Sequence, residues 1–376
     1  VDRLRREIEP VSPQVFMRFL CTWQHVLPEL RSRGREGLRA TVEQLAGFEA
    51  RAGAFESDLL PARVHDYDQG LLDELCLSGE VRWSRLSPPT QEGVRGGPLR
   101  STAITLADPQ RFAAFRAFAE ESGAVLSANA ERVRAFLHEH GASFLSDVQY
   151  GTGLLPSALE DALAELVAVG LATSDSFTGL RALLVPSHKR SAHPLRRARG
   201  RSGSSVGASG RFSLLRPSVM PKDTAIEQVA RTVLARYGVV FRKLLERERL
   251  PPWRELLAQF RRLEARGEIR GGRFIEGFSG EHFALPEAVP MLRSARKNES
   301  PTLLSLSGAD PLNLLDLVLP GERLSTLPQS RFVLQNGVVL GTREAGETKL
   351  NAELSPELAL RTKTLLVRPD RGASNG

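Results

Sequence analysis

Three stretches decide how this chain is read: Leu72-Asp-Glu-Leu-Cys-Leu-Ser-Gly-Glu-Val81, Leu163-Ala-Glu-Leu-Val-Ala-Val-Gly-Leu-Ala172 and Phe260-Arg-Arg-Leu-Glu-Ala-Arg-Gly-Glu-Ile269. Each sets two apolar residues three apart, then a Gly four residues on, then a small or β-branched apolar residue. Apolar residues three apart share one helix face. The Gly falls where a helix commonly stops in the left-handed conformation. The residue two beyond it opens a strand. Each stretch therefore predicts a packed helix, a Gly stop and a β-hairpin, with further helical segments upstream. Helices followed by a hairpin is the order of a winged helix, whose last helix reads nucleic acid. The same spacing also fits three unrelated helix–hairpin packings.

Working outward, residues 12–46 read as two helices. Ser12 caps, Pro13 suits the first helical position, and Phe16, Phe19, Leu20 and Trp23 recur on one face. Leu38, Val42 and Leu45 follow the Gly34–Gly37 turn. The Gly- and Pro-rich run Pro88–Pro98 is a loop at a wing tip, and Ser101–Leu106 alternates like a returning strand. A second module, 108–186, carries helical residues around Phe112–Phe118 and Val133–Leu137, then a helix from Pro156. Strands are expected at 171–175 and 180–185. Residues 187–210 are low in complexity and read as a basic, disordered tether. A third module, 211–299, opens on a strand at Arg211–Leu215, and its wing turns at Gly277–Gly280. Residues 300–370 read as a small, mainly β domain, a barrel, with Asn336-Gly337 as a hairpin turn, and 371–376 as a disordered tail. The expected fold class is α+β: tandem winged-helix modules, the first over 1–107, followed by a small C-terminal β-barrel.

Composition narrows the function. The 376 residues carry a net charge of +7, with 41% hydrophobic and 25% charged residues, ordinary for a globular chain of several domains. The charge is uneven. Residues 1–175 are net −7, residues 176–222 hold ten basic and no acidic residues, and residues 223–376 are net +4. No apolar run reaches the length of a membrane span and no signal-peptide core opens the chain, which points to the cytoplasm. A first residue other than Met points to a piece of a longer protein. Two distant cysteines, Cys21 and Cys76, exclude a disulfide scaffold and a Cys-rich zinc site.

The chemistry-bearing residues follow from the helical wheel. In the third module Leu256, Leu257, Phe260 and Leu263 share one face, and Arg254, Arg261 and Arg262 lie on the other, with Ala258 and Ala265 between. Arg266 lies at the edge, and Arg270 and Arg273 follow on the wing. The guanidinium fork grips phosphates or guanine edges at two points, and small residues let a backbone approach a groove. A solvated helix face in a chain with 45 Arg and 6 Lys explains the same pattern. In the tether, Arg196, Arg197, Arg199 and Arg201 suit phosphate contact without sequence preference. The second module's helix carries Glu160, Asp161 and Glu165, and the first carries Asp73 and Glu74. Both would repel phosphate. No Gly-Lys pair exists, so there is no phosphate loop and no cofactor is expected in this chain. His138-Glu139-His140 lacks the i, i+4 spacing of a metal site, and no metal is expected. Asp310 and Asp370 are the candidate acids should the chain cleave a glycosidic bond; a turn-forming Asp before Pro is the simpler reading of Asp310.

Beyond these patterns, Tyr237-Gly-Val-Val-Phe-Arg-Lys-Leu-Leu245, Trp253-Arg-Glu-Leu-Leu257, Arg261–Arg270 and Gly272–Glu287 closely resemble the C-terminal region of bacterial Lhr proteins, the large helicase-related ATPases. The resemblance continues through Ala309-Asp-Pro-Leu-Asn-Leu314 and Pro320-Gly-Glu-Arg323. Upstream it includes Arg18–His25, Gly34-Arg-Glu-Gly37 and Leu60-Pro-Ala-Arg63, and it spans nearly all of residues 8–367. It implies an ATP-dependent DNA repair helicase as parent, with ATP and Mg²⁺ serving an N-terminal motor outside this chain. It implies a tandem winged-helix array ending in a barrel, similar to winged-helix DNA glycosylases. The partners it implies are DNA, that motor and further copies of the chain. Base excision and a pure oligomerisation scaffold are the competing functions.

Overall fold

A computed structural model describes residues 9–88, 99–119, 122–184, 210–327 and 329–367. The Gly stops shape it as the spacing requires. Leu72, Leu75, Leu163, Leu166, Phe260 and Leu263 are all fully buried. Gly79, Gly170 and Gly267 adopt φ of +79°, +73° and +75°. At Gly170 and Gly267 the backbone closes the paired bonds of a Schellman stop, Leu171 N–H to Leu166 O at 2.9 Å and Glu268 N–H to Leu263 O at 3.0 Å.

The first module opens on helix α1 (Pro13–Trp23), which Ser12 caps through the Val15 amide at 3.3 Å. It runs through strand β1 (Ser32–Arg33), α2 (Gly34–Leu45), β2 (Ala50–Arg51), β3 (Val64–His65), α3 (Gln69–Leu77), β4 (Arg82–Ser84) and β5 (Ala103–Ala107). Helix α4 (Pro109–Arg116) leads to the second module: α5 (Ala128–His140), β6 (Ser143–Phe144), α6 (Leu145–Thr152), α7 (Pro156–Ala168), β7 (Ala172–Ser174), α8 (Phe177–Leu184) and β8 (Arg211–Leu214). The third is α9 (Lys222–Tyr237), β9 (Val239–Phe241), a 3₁₀ turn (Arg242–Leu245), α10 (Trp253–Ala265), β10 (Arg270–Gly272) and β11 (His282–Ala284), followed by α11 (Ala288–Ser294). Their sheets are ordered β2-β5-β4, β6-β8-β7 and β9-β11-β10. In each, the last strand in sequence lies between the other two, so the three modules share one antiparallel plan. The Pro88–Pro98 wing tip lies almost wholly outside the described residues.

Two expected strands fall differently. Of the strand expected at 180–185, the described residues 180–184 belong instead to helix α8 (Phe177–Leu184). Phe177, Leu180 and Leu183 recur every third residue and are buried, which is a helical stripe. Ser176 Oγ accepts from the Thr178 amide at 3.1 Å in its first turn. The strand that closes the second sheet is Arg211–Leu214, read from sequence as the start of the third module. It pairs with β6 at Phe212–Ser143 and with β7 at Leu214–Ala172.

The C-terminal domain is an open sheet, and the expected barrel does not form. Strands β12 (Leu304–Ser307), β13 (Arg331–Gln335), β14 (Val338–Glu344) and β15 (Glu347–Leu350) follow each other as an antiparallel meander. Four strands are too few to close around a filled interior. Helix α12 (Pro356–Val367) covers the sheet instead and buries Thr362 and Leu366. The Asn336-Gly337 turn does form, with φ of +52° and +76°. It presses on α1 so closely that a Cβ at Gly337 would lie 2.0 Å from the Gln14 carbonyl.

The chain divides into two compact units: 1–44, 54–67 and 226–376 form one, and 45–53 and 68–225 the other. The core of the first is aromatic. Phe16, Phe19, Phe241, Phe260 and Phe283 are buried, and Phe260 stacks on Phe283 at 5.2 Å. The second centres on Trp83, Phe177 and Phe212.

Candidate nucleic-acid interface

Helix α10 owes its orientation to Leu256, Phe260 and Leu263, which are buried together with Gln259. Trp253 adds a ring contact to Phe260 at 5.8 Å. With that side fixed inward, Arg254, Ala258, Arg261, Arg262, Ala265 and Arg266 all face solvent, as the helical wheel requires. Arg270 and Arg273, on and beside β10, are exposed as well.

These arginines are not equivalent. Arg261 joins the helix to the wing through Glu281, at 2.7 Å and 3.3 Å. Arg266 bonds Glu227 and Glu268 at 2.8 Å each, in a cluster with Arg231 that ties α9 to the Gly267 stop. Arg254, Arg262, Arg270 and Arg273 have no carboxylate within ion-pairing distance among the described residues, and their charge is available to an anionic partner. Glu264 lies on the same helix but spends its carboxylate on the Gly271 amide at 3.0 Å.

The wing, residues 273–281, is pinned at its base by His282. This ring is fully buried, and its Nδ1 accepts from the Phe274 and Ile275 amides at 3.2 and 3.4 Å. Burial pushes its pKa below the usual imidazole value, the Phe278 backbone carbonyl works in the other direction, and the Arg273 charge adds to the depression.

The equivalent helices of the other modules are occupied otherwise. Asp73 on α3 accepts from the Thr178 amide and hydroxyl at 2.9 Å each and from Arg181 at 2.8 Å. It anchors α8, the helix inserted in the second module's wing. On α7, Glu165 caps α5 through the Ser127 amide and hydroxyl at 2.7 Å each, and Asp161 is exposed.

Asp310 sits elsewhere in the fold. It is 3% exposed, and its two oxygens meet Arg63 Nη1 and Nη2 at 2.8 and 2.9 Å. Arg63 donates further to the Leu59 carbonyl at 3.1 Å and to Gln24 Oε1 at 2.7 Å. Gln24 passes the network on to the Arg236 carbonyl at 3.0 Å. Burial and the Asp310 charge push the neighbouring Cys21 thiol up to about 12, against the opposing effect of Arg63. Sequence reasoning missed this buried ion pair because Arg63 and Asp310 are 247 residues apart. Arg196, Arg197, Arg199, Arg201 and Asp370 lie outside the described residues. No group of metal-ligating side chains occurs among the described residues, and no helix there is long and apolar enough to cross a membrane.

Residues 220–303 match the fourth winged-helix domain of large helicase-related proteins, and residues 11–104 match the third. The chain carries Lhr-type winged-helix domains. Among curated proteins it is 32% identical to a Mycolicibacterium smegmatis protein named "Lhr helicase/ probable uracil glycosylase", across 82% of this chain and 21% of that protein. It is 30% identical to an Escherichia coli protein named "Lhr helicase/uracil glycosylase", across 84% of this chain and 22% of that protein. The chain spans about a fifth of the length of these Lhr relatives. The fourth Lhr winged helix is the module whose α10 presents the arginine face, and the third is the one whose α3 spends Asp73 on internal packing.

Proposed function

We propose that this chain is the non-motor C-terminal region of an Lhr-type DNA repair helicase and binds DNA through α10 and the wing of its third module. The observation that carries the reading is the exposed set of Arg254 and Arg262 on α10 with Arg270 and Arg273 on and beside β10, without carboxylate partners among the described residues, while the opposite face of α10 is locked by Phe260 and Leu263. Charge-assisted bonds from such side chains suit phosphate oxygens, and a wing beside the helix suits a duplex backbone. Arg261 and Arg266 shape that surface while holding Glu281 and Glu227. The tether arginines Arg196, Arg197, Arg199 and Arg201 add sequence-blind affinity. The region acts in the cytoplasm and assembles with copies of itself and with the helicase motor of its parent protein. The motor uses ATP and Mg²⁺, and this region needs no cofactor of its own.

The test is to titrate labelled single-stranded and duplex oligonucleotides with the chain, without ATP, at several salt concentrations. Binding whose logarithm falls linearly with the logarithm of salt supports the reading. No binding at low salt removes it.

The names of the two Lhr relatives favour base excision as a second reading. In this chain Asp310 is closed off by Arg63, so Asp370 is the acid left for that chemistry. Incubation with a uracil-containing oligonucleotide, followed by alkaline cleavage of abasic sites, tests it: strand breaks that vanish in Asp370→Ala support it, and intact strands exclude it.

A further inference from the structure

Three restraints converge on the wing of the third module. Val11 bridges it, donating to the Phe274 carbonyl at 2.8 Å and accepting from the Glu276 amide at 2.8 Å. Phe278 packs on Phe241 with ring centroids 4.8 Å apart. His282 accepts two wing amides at once. The first two are insensitive to pH; the third is not. An Nδ1 that accepts carries no proton, so the proton resides on Nε2, which is buried and makes no hydrogen bond. The ring stacks on Phe241 at 4.8 Å. Opposite it on the flanking strands lie Gly272 and Phe241, neither of them charged. On the wing the charged groups are Arg273, Glu276 and Glu281, the last held by Arg261. Arg242 follows Phe241 on the other side and is exposed.

We propose that His282 is a positioning residue of the DNA interface, its unprotonated Nδ1 holding the Phe274 and Ile275 amides and so fixing the wing that presents Arg270 and Arg273. The proposal rests on the DNA-binding reading above. Protonation would turn Nδ1 into a donor facing two donors, and both bonds would be lost. The folded-state pKa lies below the ordinary imidazole value near 6.5, so the pinned wing is fully present above that pH and is lost as the pH falls through the lower folded-state value. This is opposite to the usual effect of acid on an arginine-rich surface, which gains positive potential as its carboxylates are protonated.

The experiment uses the full chain and two readouts: hydrogen-exchange protection of the 273–281 segment, corrected for intrinsic rates, and affinity for a labelled duplex. Both are measured at about pH 7.5 and about pH 5.5. In the native protein, protection should fall by up to about tenfold on acidification, and affinity should fall with it. His282→Asn keeps an acceptor that does not titrate, and should keep both at either pH. His282→Phe keeps the ring stack without an acceptor, and should lack the protection at either pH. Equal wing protection of the native protein at the two pH values overturns the proposal, whatever the variants do. So does a pH response that persists in His282→Asn. If protection follows His282 but affinity never changes, the wing does not position DNA contacts and the proposal fails, while binding through α10 stands. If the wing is protected at neutral pH and no DNA binds, it is the DNA-binding reading that has failed, and the proposal with it.

Discussion

Removing Asp310 should destabilise the unit that contains it far more than it alters any chemistry. In Asp310→Ala the Arg63 guanidinium, fully buried, loses both charge-assisted bonds and its counter-charge. It keeps the Leu59 carbonyl and Gln24 Oε1, which are neutral acceptors. The Leu312 amide also loses the Asp310 oxygen that it reaches at 2.9 Å. Breaking one side of a buried ion pair costs about 3–5 kcal/mol, because the remaining charge cannot reach water. In a unit of this size that corresponds to a fall in Tm of roughly 6–20 °C. Replacing both partners, Arg63→Met with Asp310→Leu, should recover most of the loss, since the desolvation cost of the charges disappears with them. Calorimetry on the single and double variants completes the cycle. A loss below about 1 kcal/mol in Asp310→Ala, the size of an exposed pair, would refute the reasoning. So would a double variant no more stable than the single one. A catalytic acid would behave otherwise: a substitution would abolish turnover with little effect on melting.

Three further outcomes follow from the packing. Phe260→Ala should cost about 3–5 kcal/mol by chemical denaturation, because the ring is fully buried between Trp253 and Phe283. Gly267→Ala should cost about 1–2 kcal/mol: open space surrounds its Cβ position, so the loss is purely the strain of φ +75°, and an unchanged midpoint would contradict it. Cys21 should resist alkylation in the folded protein at about pH 8, where a thiol pushed up to about 12 holds almost no thiolate; mass spectrometry should find it labelled only after unfolding, and faster in Asp310→Ala.

Much of this was legible because backbone constraints are local. Gly79, Gly170 and Gly267 announce helix stops since few other residues turn left-handed at so little cost. Asn336-Gly337 announces its hairpin for the same reason. The arginine face of α10 was legible because Phe260 and Leu263 fix which side turns inward. Helix α8 was misread because Ser-Phe-Thr-Gly resembles a turn, although Phe177, Leu180 and Leu183 hold helical spacing. The barrel was misjudged because alternating strands reveal their own faces and not whether the outer edges meet. What stayed hidden depends on pairings distant in sequence: Arg63 with Asp310, Asp73 with Arg181, and the wing amides with a histidine whose tautomer no pattern encodes.

On the proposed reading, α10 of the third module, and not α7 of the second, faces nucleic acid. A benzophenone photocrosslinker at Ala258 would sit exposed among Arg254, Arg261 and Arg262, and one at Asp161 would sit exposed on the acidic helix. On irradiation with a labelled duplex, a covalent DNA adduct that salt suppresses is expected from position 258, and none above background from position 161. Adducts from 161 with none from 258 would contradict it.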